Sequence, residues 1–450
     1  MKKLIWMQYK YSWKLWANCF SLFLIMSILV SVCFIGFFSL LFSDRHVLLG
    51  ANDPTPIFIM PVTFGGLTLL VVMGNMLRFI LAFFREDYRT WLVLGANPRQ
   101  LASLVGGQLS IFGALSGGFG YFLAYPFTVF FYRWLQLIVG KEMLPAISIK
   151  MSLFSFFCSI FLVTLLWGAG GYFKAKKMMK NDAQEPLIFG AEDRKALGIH
   201  WWLYGISILI IAFCYWQLLK DSFILSMWPL LLSGLIIFVN SVTSQLVPFL
   251  LNKGRRFLPK NKNGSFITAF WSVVSENEFA KALFPSVLIG TLLVSGFSSL
   301  ITNILTPYSQ RSAGQQATEN LLIYLLYLGA PLLITCGHIL VITQLHVKKK
   351  TNQFFFFSRI GFTFGQLLME EMAESIIYVG VYLVYSFIGC FLLTFPIFKL
   401  STTIFSDEVF FWVPTFFLPV CFGFGIFLFL FLNFIGRLLL ERMKQRKLAS

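Results

Sequence analysis

The chain has 450 residues, of which 58% are apolar, 18% aromatic and only 12% charged, with 54 Phe and a formal net charge of +17. Soluble domains carry about 25% charged residues, so a water-soluble enzyme or binding module of this length is excluded and an all-α polytopic membrane protein is expected. The Lys and Arg lie in short segments between apolar runs, not in one patch with interleaved aromatics, so no nucleic acid is expected as a partner.

Ten apolar stretches are long enough to cross a bilayer core of about 30 Å: residues 17–42, 57–83, 104–131, 151–173, 201–219, 226–251, 283–305, 321–345, 373–397 and 410–436. The first follows Lys2, Lys3, Lys10 and Lys14 as a signal peptide would. It is too long for such a segment and no small-residue cleavage site follows, so it reads as a retained span.

Between the second and third stretches, residues 85–101 carry a set of helix signals. Glu86 and Asp87 open a short helix where its dipole favours acids, and Gly95 follows the last apolar residues in the position that often turns left-handed. Asn97 then caps the next helix, with Pro98 at its first position and Gln100 placed to return a capping-box bond. The product is a stiff elbow. At a constant offset of 266, Gly95 falls on Gly361, Gln100 on Gln366, Leu101 on Leu367 and Gln108 on Glu374, with Thr363 taking the cap in the second copy. The same offset superposes three of the apolar stretches on three others, which marks an internal duplication. The aromatic and apolar residues of the elbows, Trp91, Leu92 and Leu94 in one and Phe354 to Phe357 in the other, are too many to leave in water.

The layout is four spans, a pair and four more. Residues 1–200 form a first four-helix repeat with its linker, 201–251 a central pair, and 252–450 a second repeat. With the N-terminus inside, the inner segments hold 29 of the 36 Lys and Arg, so both termini are expected in the cytoplasm of a multi-pass cell-membrane protein.

Chemistry is sparse. The seven cysteines all fall inside apolar runs, with no C-x-x-C spacing, so neither a metal site nor a disulfide framework is indicated. Ionisable groups within spans mark ion pathways, and few are found: Arg78 lies near an inner end, His338 is alone, and Lys348, Lys349 and Lys350 read as lying beyond the inner face. Proton coupling is therefore not expected. Asn75, Gln108, Asn240, Gln245 and Asn303 read as interhelical hydrogen-bonding groups, and Gly113-x-x-x-Gly117 as a close-packing pair. No catalytic constellation stands out, and no G-x-x-x-x-G-K-[ST] loop is present to cradle nucleotide phosphates.

The stretch Leu94-Gly95-Ala96-Asn97-Pro98-Arg99-Gln100-Leu101, followed by a Gly-rich span with Gly106, Gly107, Gly113, Gly117, Gly118 and Gly120, resembles the signature segment of FtsX-like permeases. These are the membrane subunits of type VII (MacB-like) ABC transporters. Arg359-Ile360-Gly361 through Gln366-Leu367 and Glu370 to Glu374 looks like a second, more divergent copy, with Phe364 and Gly365 replacing the usual Pro and basic positions. The ten-span layout is similar to Bce-type permeases, but without their large extracellular domain, since only residues 43–56 and 306–320 stand where one is inserted. The resemblance implies a separate cytoplasmic ABC ATPase dimer, docked through Trp91, Leu94, Gly95, Asn97, Pro98 and Arg99 of one elbow and Phe357, Arg359, Gly361 and Thr363 of the other. ATP would be bound by that partner, so the permease is no enzyme and needs no cofactor. It would export or extract an amphipathic substrate such as an antimicrobial peptide, bacteriocin or lipid-like molecule. Besides the bilayer, a second permease chain or a sensor kinase are further expected partners. The alternative implied function is a mechanotransmission subunit acting on a sensor kinase or a cell-wall hydrolase.

Overall fold

The computed structural model describes residues 2–42, 55–139, 147–184, 200–220, 227–254, 264–275, 277–307, 316–404 and 409–449. Most of the two segments 43–56 and 306–320 therefore lies outside the described residues. Every regular element described is helical: α1 (Lys2–Leu41), α2 (Thr55–Phe83), α3 (Arg85–Val93), α4 (Pro98–Val139), α5 (Leu153–Gln184), α6 (His200–Leu219), α7 (Trp228–Gly254), α8 (Gly264–Ser275), α9 (Asn277–Leu300), α10 (Gln316–Ile360), α11 (Phe364–Ile404) and α12 (Val413–Ala449). In lipid each backbone N–H must be satisfied within its own segment, which makes an apolar run of this length a helix.

Among the described residues nine helices are long and apolar enough to cross a membrane. The sixth expected stretch coincides with α7, whose described apolar part, Trp228–Thr243, is shorter than the other nine. α9 runs on into a π-helical turn, Ile301–Leu305.

The chain divides into two compact units: Met1–Lys195 with Ser312–His338, and Ala196–Arg311 with Ile339–Ser450. In the first, α1 packs on α4 and α5, and Trp167 stacks on Phe23 with ring centroids 3.8 Å apart. The seam between α4 and α5 depends on glycine. A Cβ at Gly113 would stand 3.1 Å from Thr164 Cα, and one at Gly117 3.2 Å from Ile160 Cα. These are backbone atoms that cannot step aside, so the expected close-packing pair is what lets the two helices approach. Hydroxyls fasten α1 to the same seam: Ser27 Oγ donates to Ser116 O at 2.6 Å, and Ser31 and Ser159 share a bond of 2.7 Å.

In the second unit α9 is the most buried helix, packed against α7, α11 and α12. Three of its polar side chains bind neighbouring segments. Thr291 shares a 2.7 Å bond with the Tyr382 hydroxyl, Ser295 donates to Pro414 O at 3.0 Å, and Asn303, in the π turn, both accepts from Phe411 N–H at 2.7 Å and donates to Phe411 O at 3.2 Å. Asn303 thus does join separate segments, as its residue type in an apolar run suggests. Asn75 and Gln108 are buried, while the side chain of Gln245 lies outside the described residues.

Candidate functional site

The two elbows are built alike from local signals. Among the described glycines, Gly95 (φ +89°) and Gly361 (φ +104°) have positive φ, and they stand 266 positions apart. At the first, Gly95 N–H donates to Leu92 O and Ala96 N–H to Trp91 O, both at 3.0 Å. This pair of bonds is the Schellman motif, which satisfies the last carbonyls of a helix and requires a left-handed residue between them. At the second, Phe362 N–H donates to Phe357 O at 3.1 Å, the longer bond of the same motif. The Phe357 and Phe362 rings meet at 5.3 Å, the apolar contact that commonly accompanies it.

Each turn leads straight into a capped helix. Asn97 Oδ1 accepts from Arg99 N–H at 3.0 Å, with Pro98 opening α4. In the second copy the capping box is complete: Thr363 N–H donates to Gln366 Oε1 at 2.9 Å and Gln366 N–H donates to Thr363 Oγ1 at 3.4 Å. The expected return bond from Gln100 is not made among the described contacts, because Asn97 caps one residue earlier, at the second helical position. α4 and α11 begin 266 positions apart, as the two glycines do.

The approaches to the turns differ. α2 and α3 are separated at Phe84, whereas α10 runs unbroken to Ile360. On α3, Tyr88 is buried while Trp91 and Val93 are exposed and Leu94 is 79% exposed. The first elbow therefore presents an apolar tip with Asn97 and Arg99 beside it, both exposed. At the second elbow Ile360, Gly361 and Thr363 are exposed and Phe357 is half-buried. The side chains of Glu86, Asp87, Phe354, Phe355, Phe356 and Arg359 lie outside the described residues.

The first unit also holds an apolar cavity of about 680 Å³, within the size range of small-molecule sites. Leu29, Phe37, Phe58, Gly65, Phe131 and Leu333 are among its walls, and its lining is almost wholly hydrocarbon.

One group of residues escaped the sequence reading. Lys350, read as lying beyond the inner face, is buried inside the second unit. Its ammonium donates to Glu371 Oε2 at 2.7 Å and to Glu374 Oε2, while His346 Nε2 lies 3.8 Å from Glu374 Oε1 and its ring stacks on Phe279 at 3.7 Å. Burial alone would lower the pKa of Lys350, but the carboxylates of Glu371 and Glu374 more than offset it and hold the ammonium above the ordinary lysine range. The signal was available in the spacing. His346 and Lys350 share one face of α10, Glu371 and Glu374 one face of α11, and a helix that doubles back at Gly361 brings the two faces together. The positions 266 residues earlier are Ile80, Phe84, Val105 and Gln108, all buried. The duplicated hairpin thus carries three apolar groups and one neutral amide at these positions in one copy and ions in the other.

Comparison with protein-family models and with curated proteins finds no match for this chain.

Proposed function

We propose that the chain is the membrane subunit of an ABC transporter, driven by an ATPase on a separate polypeptide, that exports or extracts an amphipathic substrate such as an antimicrobial peptide or a lipid-like molecule. The observation that carries this reading is the pair of elbows: a left-handed glycine, a capped helix and an exposed tip, repeated at one fixed separation. A rigid turn that leads straight into a long capped helix is suited to receiving force, since a push on the tip moves that helix. Two such turns suit a partner with two equivalent receptors, as a dimeric ATPase has. On this reading α7 serves as a tenth span, the spans group as four, two and four, the elbows and both termini lie in the cytoplasm, and the resemblance to FtsX-like permeases is one of kinship.

The hydrocarbon cavity in the first unit supports the substrate class. Its lining suits an acyl chain or an apolar side chain and not a sugar or an ion, because unpaired polar groups are costly there. The test is purification of the tagged chain in mild detergent after co-expression with the genes beside its own. An ABC ATPase is expected to elute with it in stoichiometric amount. Elution of the chain with no ATPase among its partners overturns the proposal.

A further inference from the structure

Among the described side chains, five ionisable groups meet at one level of the α10–α11 hairpin, and their charges do not cancel. Glu370, Glu371 and Glu374 supply three carboxylates against one ammonium, Lys350, and one imidazole, His346. Even with the imidazole protonated, one negative charge is left over; with it neutral, two are. All five side chains belong to residues less than one-tenth exposed. A surplus negative charge among groups this buried is disfavoured, and a carboxylate in that position takes up a proton more readily than it does in water.

The geometry singles out the carboxylate that takes it. Glu371 and Glu374 both accept from Lys350. Glu370 has no hydrogen bond or ion pair among the described contacts, and it stands one helical turn from Glu374, where two like charges repel. Its side chain also borders a small cavity of about 30 Å³, shared with Ser272, Lys350, Glu371 and Phe434. That is room for one water molecule with polar partners on several sides. The groups acting on Glu370 can be named from each side. α10 contributes Lys350, its own helix Glu371 and Glu374, α8 Ser272 and α12 Phe434, and on α9 Lys281 is paired with Glu278 at 3.1 Å.

We infer that this cluster is a proton-binding site: Glu370 holds one proton as the neutral acid and exchanges it with the solution through the adjoining cavity. On release, the O–H bond of Glu370 breaks, its electron pair stays on the carboxylate, and a cavity water carries the proton away. The new carboxylate then competes with Glu371 and Glu374 for the single ammonium of Lys350. The α10–α11 hairpin is therefore held most firmly with the proton bound and loosens on deprotonation. This inference rests on the charge balance within one unit and is independent of the transport reading, so either can fail alone.

The test is infrared titration of the full chain in phospholipid nanodiscs, from about pH 5 to about pH 9, a window chosen to bracket a carboxyl displaced upward from its ordinary value. Wild type is expected to show the carbonyl stretch of a protonated, buried carboxylic acid at neutral pH, fading on alkalinisation. Glu370→Gln should lose one such group per chain, and Glu370→Asp should keep it with a displaced midpoint. Absence of the band in wild type overturns the inference, as does its persistence at full amplitude in Glu370→Gln. A band whose amplitude at fixed pH follows the sodium or potassium concentration also overturns it, because an alkali cation would then be the bound ligand.

Discussion

Lys350→Met is expected to destabilise the second unit by about 3–5 kcal/mol, the cost of removing one partner from a buried ion pair. Lys350 is the ammonium for both Glu371 and Glu374, so its loss strands two buried carboxylates without a counter-ion. A thermal melt of the purified protein should fall by on the order of 10 °C. The informative comparison is the combined variant with Lys350→Met, Glu371→Gln and Glu374→Gln. The two Gln substitutions remove the stranded charges that make a broken buried pair costly, so most of the loss should be recovered. Equal melting of Lys350→Met and wild type would show that the ions contribute nothing. The pH dependence has a definite sign. Because the folded state raises the pKa of Lys350, its contribution is fully present below the ordinary lysine value of about 10.4. It is lost only as pH rises through the higher folded value, so the effect of the single variant should be undiminished at neutral pH.

Gly95→Pro and Gly361→Val should have small effects on stability and large ones on coupling to the proposed ATPase. Neither glycine has an atom within 4 Å of where a Cβ would stand, so no clash is created. The cost is in the backbone. Pro cannot adopt φ +89°, and it deletes the N–H that Gly95 donates to Leu92. A branched residue at φ +104° costs about 1–3 kcal/mol. The turn must relax to a negative φ, which re-aims the exposed tip without disturbing the buried helices behind it. With the ATPase bound, substrate-dependent stimulation of ATP hydrolysis is expected to fall about tenfold for either variant, with insertion and yield retained. Stimulation at the wild-type level in both would show that the turns play no part in force transfer.

How far these features can be read in the sequence depends on how local they are. Gly95, Asn97, Pro98, Thr363 and Gln366 declare themselves because a helix stop and a helix cap are decided within five or six residues, and the structure places the left-handed turn at both glycines. The helices were legible for a similar reason, as hydropathy averaged over one stretch is a local quantity. Their exact ends were less so where no cap marks them: α1 begins at Lys2 and α10 runs on to Ile360, well outside the apolar windows, because helix continues through charged residues that hydropathy excludes. The ion cluster was hidden because its members lie on two helices. Lys350 reads as a solvated charge until the chain folds back at Gly361 and sets Glu371 and Glu374 against it. The mismatch between the two repeats was hidden as well. Phe84 and Val105 look like ordinary core residues until the offset that relates the elbows is applied to Lys350 and Glu371.

The docking role assigned to the elbows is tested most directly by hydrogen–deuterium exchange of the full chain in nanodiscs, alone and with the co-purifying ATPase locked by a non-hydrolysable ATP analogue. Slowed exchange is predicted in residues 85–100 and 351–366 together, since two equivalent turns should meet two equivalent receptors. Exchange unchanged in both segments, with protection confined to other parts of the chain, would contradict it.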